Sequence, residues 1–183
     1  VGYMALGLGL GTPLGIVGGL YHLVNHSVFK SLLFLNAGSV EYSTGTRDLK
    51  RLGGLSKAMP VTGSTSLVAS MSIAGIPPFN GFWSKLVIVM ACVLSGHYWM
   101  AFWAVVVSIL TLASFLKVQR YGFFESLKLA AGEIQRTPVL MGAAMVLLAA
   151  LCVAMAFMMV SGIREPLLIW PAAKALLAGK FIL

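Results

Sequence analysis

Residues 72–85 read SIAGIPPFNGFWSK. They lie inside an apolar run from 61 to 94. A straight membrane span needs roughly 20 residues, so the run is too long for one straight helix and too short for two helices with a loop. Pro77, Pro78, Gly75 and Gly81 crowd the middle of the run and cannot continue an α-helix. The spacing predicts one crossing by a broken helix, 61–76 and 82–94, interrupted at 75–82. Broken helices are tolerated in a bilayer where the freed backbone lines a cavity or protein interior. Lys85 follows this break directly.

Working outward, the 183-residue chain is 59% hydrophobic and only 10% charged, against about 25% charged in a soluble domain. Its mean hydropathy is +0.94. The apolar runs do not alternate as the short strands of about 10 residues in a membrane β-barrel do. Residues 1–11 are apolar but too short to span. Further spans are expected at 14–38, 98–118 and 139–162, with polar connections at 39–59 and 119–137 and a turn at 95–97. The expected fold is an all-α integral membrane protein with about four full transmembrane helices, one of them broken mid-membrane, plus a partial N-terminal helix. Residues 1–162 form the membrane domain. The tail 163–183, cut by Pro171, is expected to lie along the membrane interface or on a partner. The start has neither the basic region nor the cleavage site of a signal peptide.

The net charge is +8, which could point to nucleic acid. The cations instead lie in the connections between spans, where they act as topology signals. Arg47, Lys50, Arg51, Lys57, Lys117, Arg120, Lys128 and Arg136 occupy the two long connections, against Arg164, Lys174 and Lys180 on the other side. This asymmetry predicts long connections in the cytoplasm, a C-terminus outside, and a multi-pass protein of the cell membrane. Cys92 and Cys152 sit in separate apolar segments, which reads as inert buried thiols; a metal site or disulfide framework needs closer pairing.

Two lysines, Lys30 and Lys85, remain inside the membrane. Each costs about 2.5–3.5 kcal/mol on insertion scales, so an intramembrane charge is a functional hypothesis by default. His22, His26 and Lys30 are four residues apart and form one helical stripe, drifting about 40° per step. Asn25 and Ser27 are polar neighbours. One reading is a proton path, since histidine exchanges protons near neutrality. The other is structural: histidines satisfied by hydrogen bonds in a bundle, Lys30 snorkelling, and Lys85 paired at a proline kink. Freed carbonyls with Asn80 or Ser84 are the expected partners of the Lys85 ammonium. The pair His22/His26 has zinc spacing, but Leu23 stands where a metalloprotease carries its glutamate. A haem needs histidines on facing helices, and His97 is the only other one. No cofactor or metal is expected in this chain, and no redox, nucleotide or quinone motif is present to make it an enzyme by itself.

Three motifs carry a resemblance: YHLVNHSVFKSLLFLNAGSV at 21–40, TGTRDLKRLGGLSKAMPVT at 44–62, and SIAGIPPFNGFWSK at 72–85. In this order and spacing the chain resembles the antiporter-like membrane subunits. These include the ion-pumping subunits of respiratory complex I, the Mrp Na+/H+ antiporters, and the subunits of membrane-bound hydrogenase and formate hydrogenlyase. The resemblance covers residues 1 to about 120. It implies the C-terminal inverted-repeat half of such a subunit, without the first repeat. His22, His26 and Lys30 match the family's histidine–lysine relay, and Lys85 matches the key lysine of the second broken helix.

The resemblance implies a proton (or sodium) translocating subunit supplying the second half-channel. Its setting is the membrane arm of a redox-driven complex of hydrogenase or NADH:quinone oxidoreductase type, or an Mrp-type antiporter. The ion-translocation residues are Lys85, Lys30, His22 and His26, supported at the broken helix by Pro77, Pro78, Asn80 and Ser84. The expected partners are membrane lipid, redox subunits, and other membrane subunits including one that supplies the missing N-terminal repeat; nucleic acid is not among them. The alternative is a structural or assembly subunit of the same membrane arm that conducts nothing.

Overall fold

Gly11, Thr12 and Pro13 turn the chain between α1 (Gly2–Gly9) and α2 (Pro13–Thr44). The Thr12 hydroxyl caps α2 by accepting the Gly15 N–H at 3.1 Å, and Pro13 needs no partner in the first turn. This is a computed structural model of the protein, and residues 1–126, 128, 134–160 and 174 are described. The α1–α2 hairpin is close because its contact face is glycine. A Cβ on Gly7 would come within 2.8 Å of the Gly15 carbonyl oxygen.

Helix α2 runs past the expected end at 38, to Thr44, where Gly45 takes a left-handed φ of +66°. Its last turns look polar in sequence but are satisfied inward. Ser39 bonds Thr62 at 3.0 Å and Thr137 at 3.1 Å, and the Thr44 hydroxyl donates back to the Val40 carbonyl. The first long connection therefore begins at 45 rather than 39, and contains a single helical turn, α3 (Leu55–Ala58).

The broken pair is α4 (Pro60–Ala74) and α5 (Asn80–Leu94). Both pack antiparallel to α2, and the contacts give the register. Asn25 meets Asn80 on one side of the break, and Asn36 meets Thr65 on the other. From 25 to 36 is eleven residues of α2, or about 16 Å of rise, while 65 to 80 is fifteen residues of the broken pair. The segment 75–79 thus adds chain without adding rise. It exposes the end of α4 to the first turns of α5.

Helix α6 (Tyr98–Val118) does not stop where the second polar connection was expected. It continues as a π-helical turn, Gln119–Phe124. Gln119 is buried and donates to Ser66 and Ser70 of α4 at 2.9 and 2.8 Å, so its polar side chain is a bundle contact rather than a loop signal. Helix α7 (Val139–Val160) closes the bundle. The described residues contain helices and no strand.

The core lies between α2, α4 and α7, where Phe29, Leu32, Ala69, Met145 and Cys152 are buried together. Cys92 is buried with Ile88 and Ala101; both thiols are free. Two stretches, Tyr98–Phe124 and Val139–Phe157, are long and apolar enough to cross a membrane. In α6 only Ala101 and Ala104 are buried, leaving an apolar outer face suited to lipid or another subunit. Apart from Lys174, the expected tail 163–183 and the side of the membrane it occupies lie outside the described residues.

Candidate functional site

Helix α4 ends at Ala74 because Gly75 adopts φ +80°, a conformation with little cost only for glycine. The last carbonyls of any helix lack intrahelical partners and carry the negative end of its dipole. Lys85, on the second turn of α5, lies against this end. Its ammonium donates to the Ile73 carbonyl at 2.8 Å, the Ala74 carbonyl at 3.1 Å and the Ser108 hydroxyl of α6 at 3.0 Å. Three donors meet three acceptors. Lys85 is 8% exposed and has no carboxylate partner among the described residues. A cation is held here by a helix terminus and one hydroxyl.

The expectation gave Lys85 the freed carbonyls with Asn80 or Ser84; the structure gives it the carbonyls of Ile73 and Ala74 and turns Asn80 and Ser84 to α2. Asn25 donates to the Asn80 carbonyl at 3.2 Å, and the Asn80 amide donates back to the Asn25 side chain at 3.1 Å. Ser84 lies 2.8 Å from His22 Nδ1. His22 is 2% exposed, and Asn25, Asn80 and Ser84 are fully buried. Asn25 therefore fixes the first turn of α5 to α2. Ser27 is exposed and bonds only to its own helix. Pro77 and Pro78 are exposed in the segment between the half-helices. Their part is to leave the α4 terminus open.

His22, His26 and Lys85 line one cavity of about 540 Å³, bounded by Tyr3 of α1 and Trp103 of α6. The two imidazoles are 5.9 Å apart between centroids. Lys30 continues their stripe but belongs elsewhere. It lines a second cavity of about 340 Å³, with Asn36, Ser66, Ser70 and Arg47, and its ammonium lies 5.6 Å from the centre of the Phe34 ring. The structure thus brings together His22, His26, Ser84 and Lys85 and sets Lys30 one turn beyond. Two contributors escaped the sequence reading, Tyr3 and Ser108. Their only signal was a hydroxyl in a mostly apolar helix, a signal that Thr111 and Ser114 of α6 give equally.

Among the described residues no cluster of histidine, cysteine and carboxylate side chains is suited to a metal. What the arrangement can do chemically is hold a buried positive charge and pass protons between imidazole, hydroxyl and amine.

The family model for NADH:quinone oxidoreductase/Mrp antiporter, TM, matches residues 1–111. The chain is 43% identical over 124 residues to one of the Na(+)/H(+) antiporter subunits of Alkalihalophilus pseudofirmus, a match that covers 68% of this chain and 25% of that protein. It is 50% identical over 99 residues to formate hydrogenlyase subunit 3 of Escherichia coli, covering 48% of this chain and 16% of that one. The structure of the Mrp complex from Dietzia superposes with a TM-score of 0.87 at 28% identity, over 98% of this chain and 41% of the other. Respiratory complex I from Thermus thermophilus gives 0.82 at 26%, over 97% and 36%. The chain spans a quarter or less of the length of these curated relatives.

Proposed function

This chain belongs to the NADH:quinone oxidoreductase/Mrp antiporter family of membrane subunits, and from that premise we propose that it supplies a half-channel for protons, or for sodium ions exchanged against them. Its relatives are subunits of Mrp, complex I and hydrogenlyase assemblies, and the chain is a multi-pass membrane protein like them. The parent assembly is read as a redox-driven membrane arm or an Mrp-type antiporter. Its other membrane subunits, and in the first case its redox subunits, are the partners.

One observation carries the reading. Lys85 is buried at the end of a half-helix with every donor paired and no acid beside it among the described residues. A charge in lipid is expensive, and a site that holds it through backbone carbonyls can release and rebind a proton without leaving a stranded carboxylate. Ser84 and His22 adjoin Lys85, His26 follows in the same cavity, and Lys30 opens the next. We assign the transfer order Lys85, His22, His26, Lys30, with water bridging the steps that no direct hydrogen bond spans. The cation asymmetry between connections supports a cytoplasmic placement of both long connections. The inverted-repeat relation to another half-channel is part of the same reading.

The test is gradient-driven ion flux by the assembled complex in proteoliposomes. Lys85→Ala is expected to lower flux by about a hundredfold or more, the scale on which positioned proton-transfer groups act. Full flux by an assembled Lys85→Ala complex would leave the chain as a structural member of the membrane arm.

A further inference from the structure

The Lys85 ammonium has a third partner that neither the helix terminus nor the relay requires. Ser108 accepts from Lys85 at 3.0 Å and lies 2.8 Å from the Tyr3 hydroxyl, and Tyr3 donates to the Ala104 carbonyl. Donor counting fixes the direction of this chain. A charged lysine has three donors and no acceptor. Ser108 accepts from it, and because Tyr3 spends its one hydrogen on Ala104, Ser108 spends its own on Tyr3. The series ends on a carbonyl. It cannot carry a proton onward, but it ties α1 to α6 through the hydroxyl of Tyr3.

Loss of the Lys85 proton reverses the chain. The neutral amine keeps two N–H groups, enough for the Ile73 and Ala74 carbonyls, and gains a lone pair. Ser108 then donates to that lone pair, Tyr3 turns its hydrogen to Ser108, and the Ala104 carbonyl keeps only the N–H of its own helix. One proton leaves Lys85, and every other hydrogen stays on its own oxygen. We infer that Tyr3 and Ser108 are positioning residues that convert the charge state of Lys85 into two hydrogen bonds or one between α1 and α6.

The location gives this tie a consequence. Tyr3 and Lys85 both line the 540 Å³ cavity with His22 and His26, and both line a separate cavity of about 240 Å³ between α5 and α6. The Tyr3 ring centre is 5.0 Å from the ammonium. The pair stands at the seam between the two spaces, so α1 is held to α6 by two hydrogen bonds with Lys85 charged and by one with Lys85 neutral, at the place where an ion would pass. The titratable groups around Lys85 are Tyr3 from α1 and His22 from α2, with His26 of α2 and the Val1 amino terminus on the same cavity. Helices α4 and α6 present carbonyls and hydroxyls, and the only titratable group on α7 among the described residues is Cys152, in the core on the far side of Phe29.

The inference rests on Lys85 exchanging protons, so its test uses variants that leave Lys85 in place, beside Lys85→Ala as reference. In the assembled complex in proteoliposomes, Tyr3→Phe and Ser108→Ala are each expected to lower gradient-driven flux about tenfold, the weight of one hydrogen bond to a charged group. Ser108→Thr, which keeps the hydroxyl, should restore most of it, and the double variant should be no worse than either single one. A pH-difference infrared spectrum with ring-labelled tyrosine should contain one tyrosine C–O band that vanishes in Tyr3→Phe, in Ser108→Ala and in Lys85→Ala. Wild-type flux in Tyr3→Phe and Ser108→Ala with Lys85→Ala inactive overturns the inference and leaves the proposed function standing. Loss in Ser108→Thr equal to that in Ser108→Ala overturns it too, because bulk rather than the hydroxyl is then what matters. Should Tyr3→Phe fail to assemble, the two Ser108 variants decide alone. Full flux in Lys85→Ala overturns both readings.

Discussion

His22 Nδ1 lies 2.8 Å from Ser84 Oγ, and this bond joins α2 to α5 one residue before Lys85. Both side chains are buried, so water cannot easily replace a lost partner. Removing one side of such a pair costs about 1–3 kcal/mol. Ser84→Ala is expected to lower ion flux by roughly tenfold while the complex still assembles. His22→Ala should do at least as much. If the two act through one bond, the double variant will match the worse single variant. Additive losses in proteoliposome flux would show that Ser84 and His22 act separately.

Gly75 has two reasons to be glycine, and they can be separated. Its φ is +80°, which costs a residue with a side chain about 1–2 kcal/mol. A Cβ there would also come within 2.9 Å of the Lys85 Cδ. Gly45 ends α2 at φ +66° with nothing within 4 Å of its would-be Cβ, so it carries the first cost without the second. Gly45→Ala and Gly75→Ala should both lower thermal stability of the complex, by about 1–2 kcal/mol for the first. Only Gly75→Ala should also abolish flux, because it pushes Lys85 off its carbonyls. Equal flux in the two variants would mean that the position of Lys85 against the α4 terminus is unimportant.

The all-helical character and the break were legible because proline, glycine and an overlong apolar run are local signals. The register across the break was not. That Lys85 meets Ile73 and Ala74 follows from how little rise the segment 75–79 contributes, which composition does not reveal. Asn80 and Ser84 read as partners for a nearby lysine, yet on a helix they face α2, and Asn25 and His22 take them. Helix ends were misread where polar residues bond inward, as Ser39 and Gln119 do. The stripe His22, His26, Lys30 was visible as a period, but its division between two cavities depends on which helices flank each turn.

The sidedness expected from the cation count has a direct check. The connections after α2 and α6 lie at one end of the bundle, where the Ser56 hydroxyl bonds the Phe123 carbonyl at 2.7 Å and Leu52, Leu55 and Phe123 pack together. Lys50 and Ser126 are exposed there, and His97 is exposed in the turn at the opposite end. In a cysteine-free background, Lys50→Cys and Ser126→Cys should resist an impermeant thiol reagent in intact cells and react after permeabilisation. His97→Cys should react in intact cells. The reverse pattern would place the long connections outside and overrule the charge asymmetry.

Lys30 offers the sharpest contrast between charge and proton exchange. It is half-buried on the same stripe as the histidines but lines the cavity that reaches towards Arg47, with its ammonium near the Phe34 ring. An arginine suits such a place as a cation, since guanidinium stacks well on aromatic faces. It stays protonated, however, and cannot hand a proton on. A histidine is shorter and fits the ring less well, but exchanges protons near neutrality. If Lys30 is the carrier after His26, Lys30→Ala and Lys30→Arg should both lower flux by about a hundredfold, and Lys30→His should keep a larger share of it than either. If Lys30 only sets the local field, Lys30→Arg should be the mildest of the three. Flux of the assembled variants, measured in one proteoliposome preparation under one imposed gradient, gives the order. An arginine variant ahead of the histidine variant removes Lys30 from the path and ends the transfer order at His26.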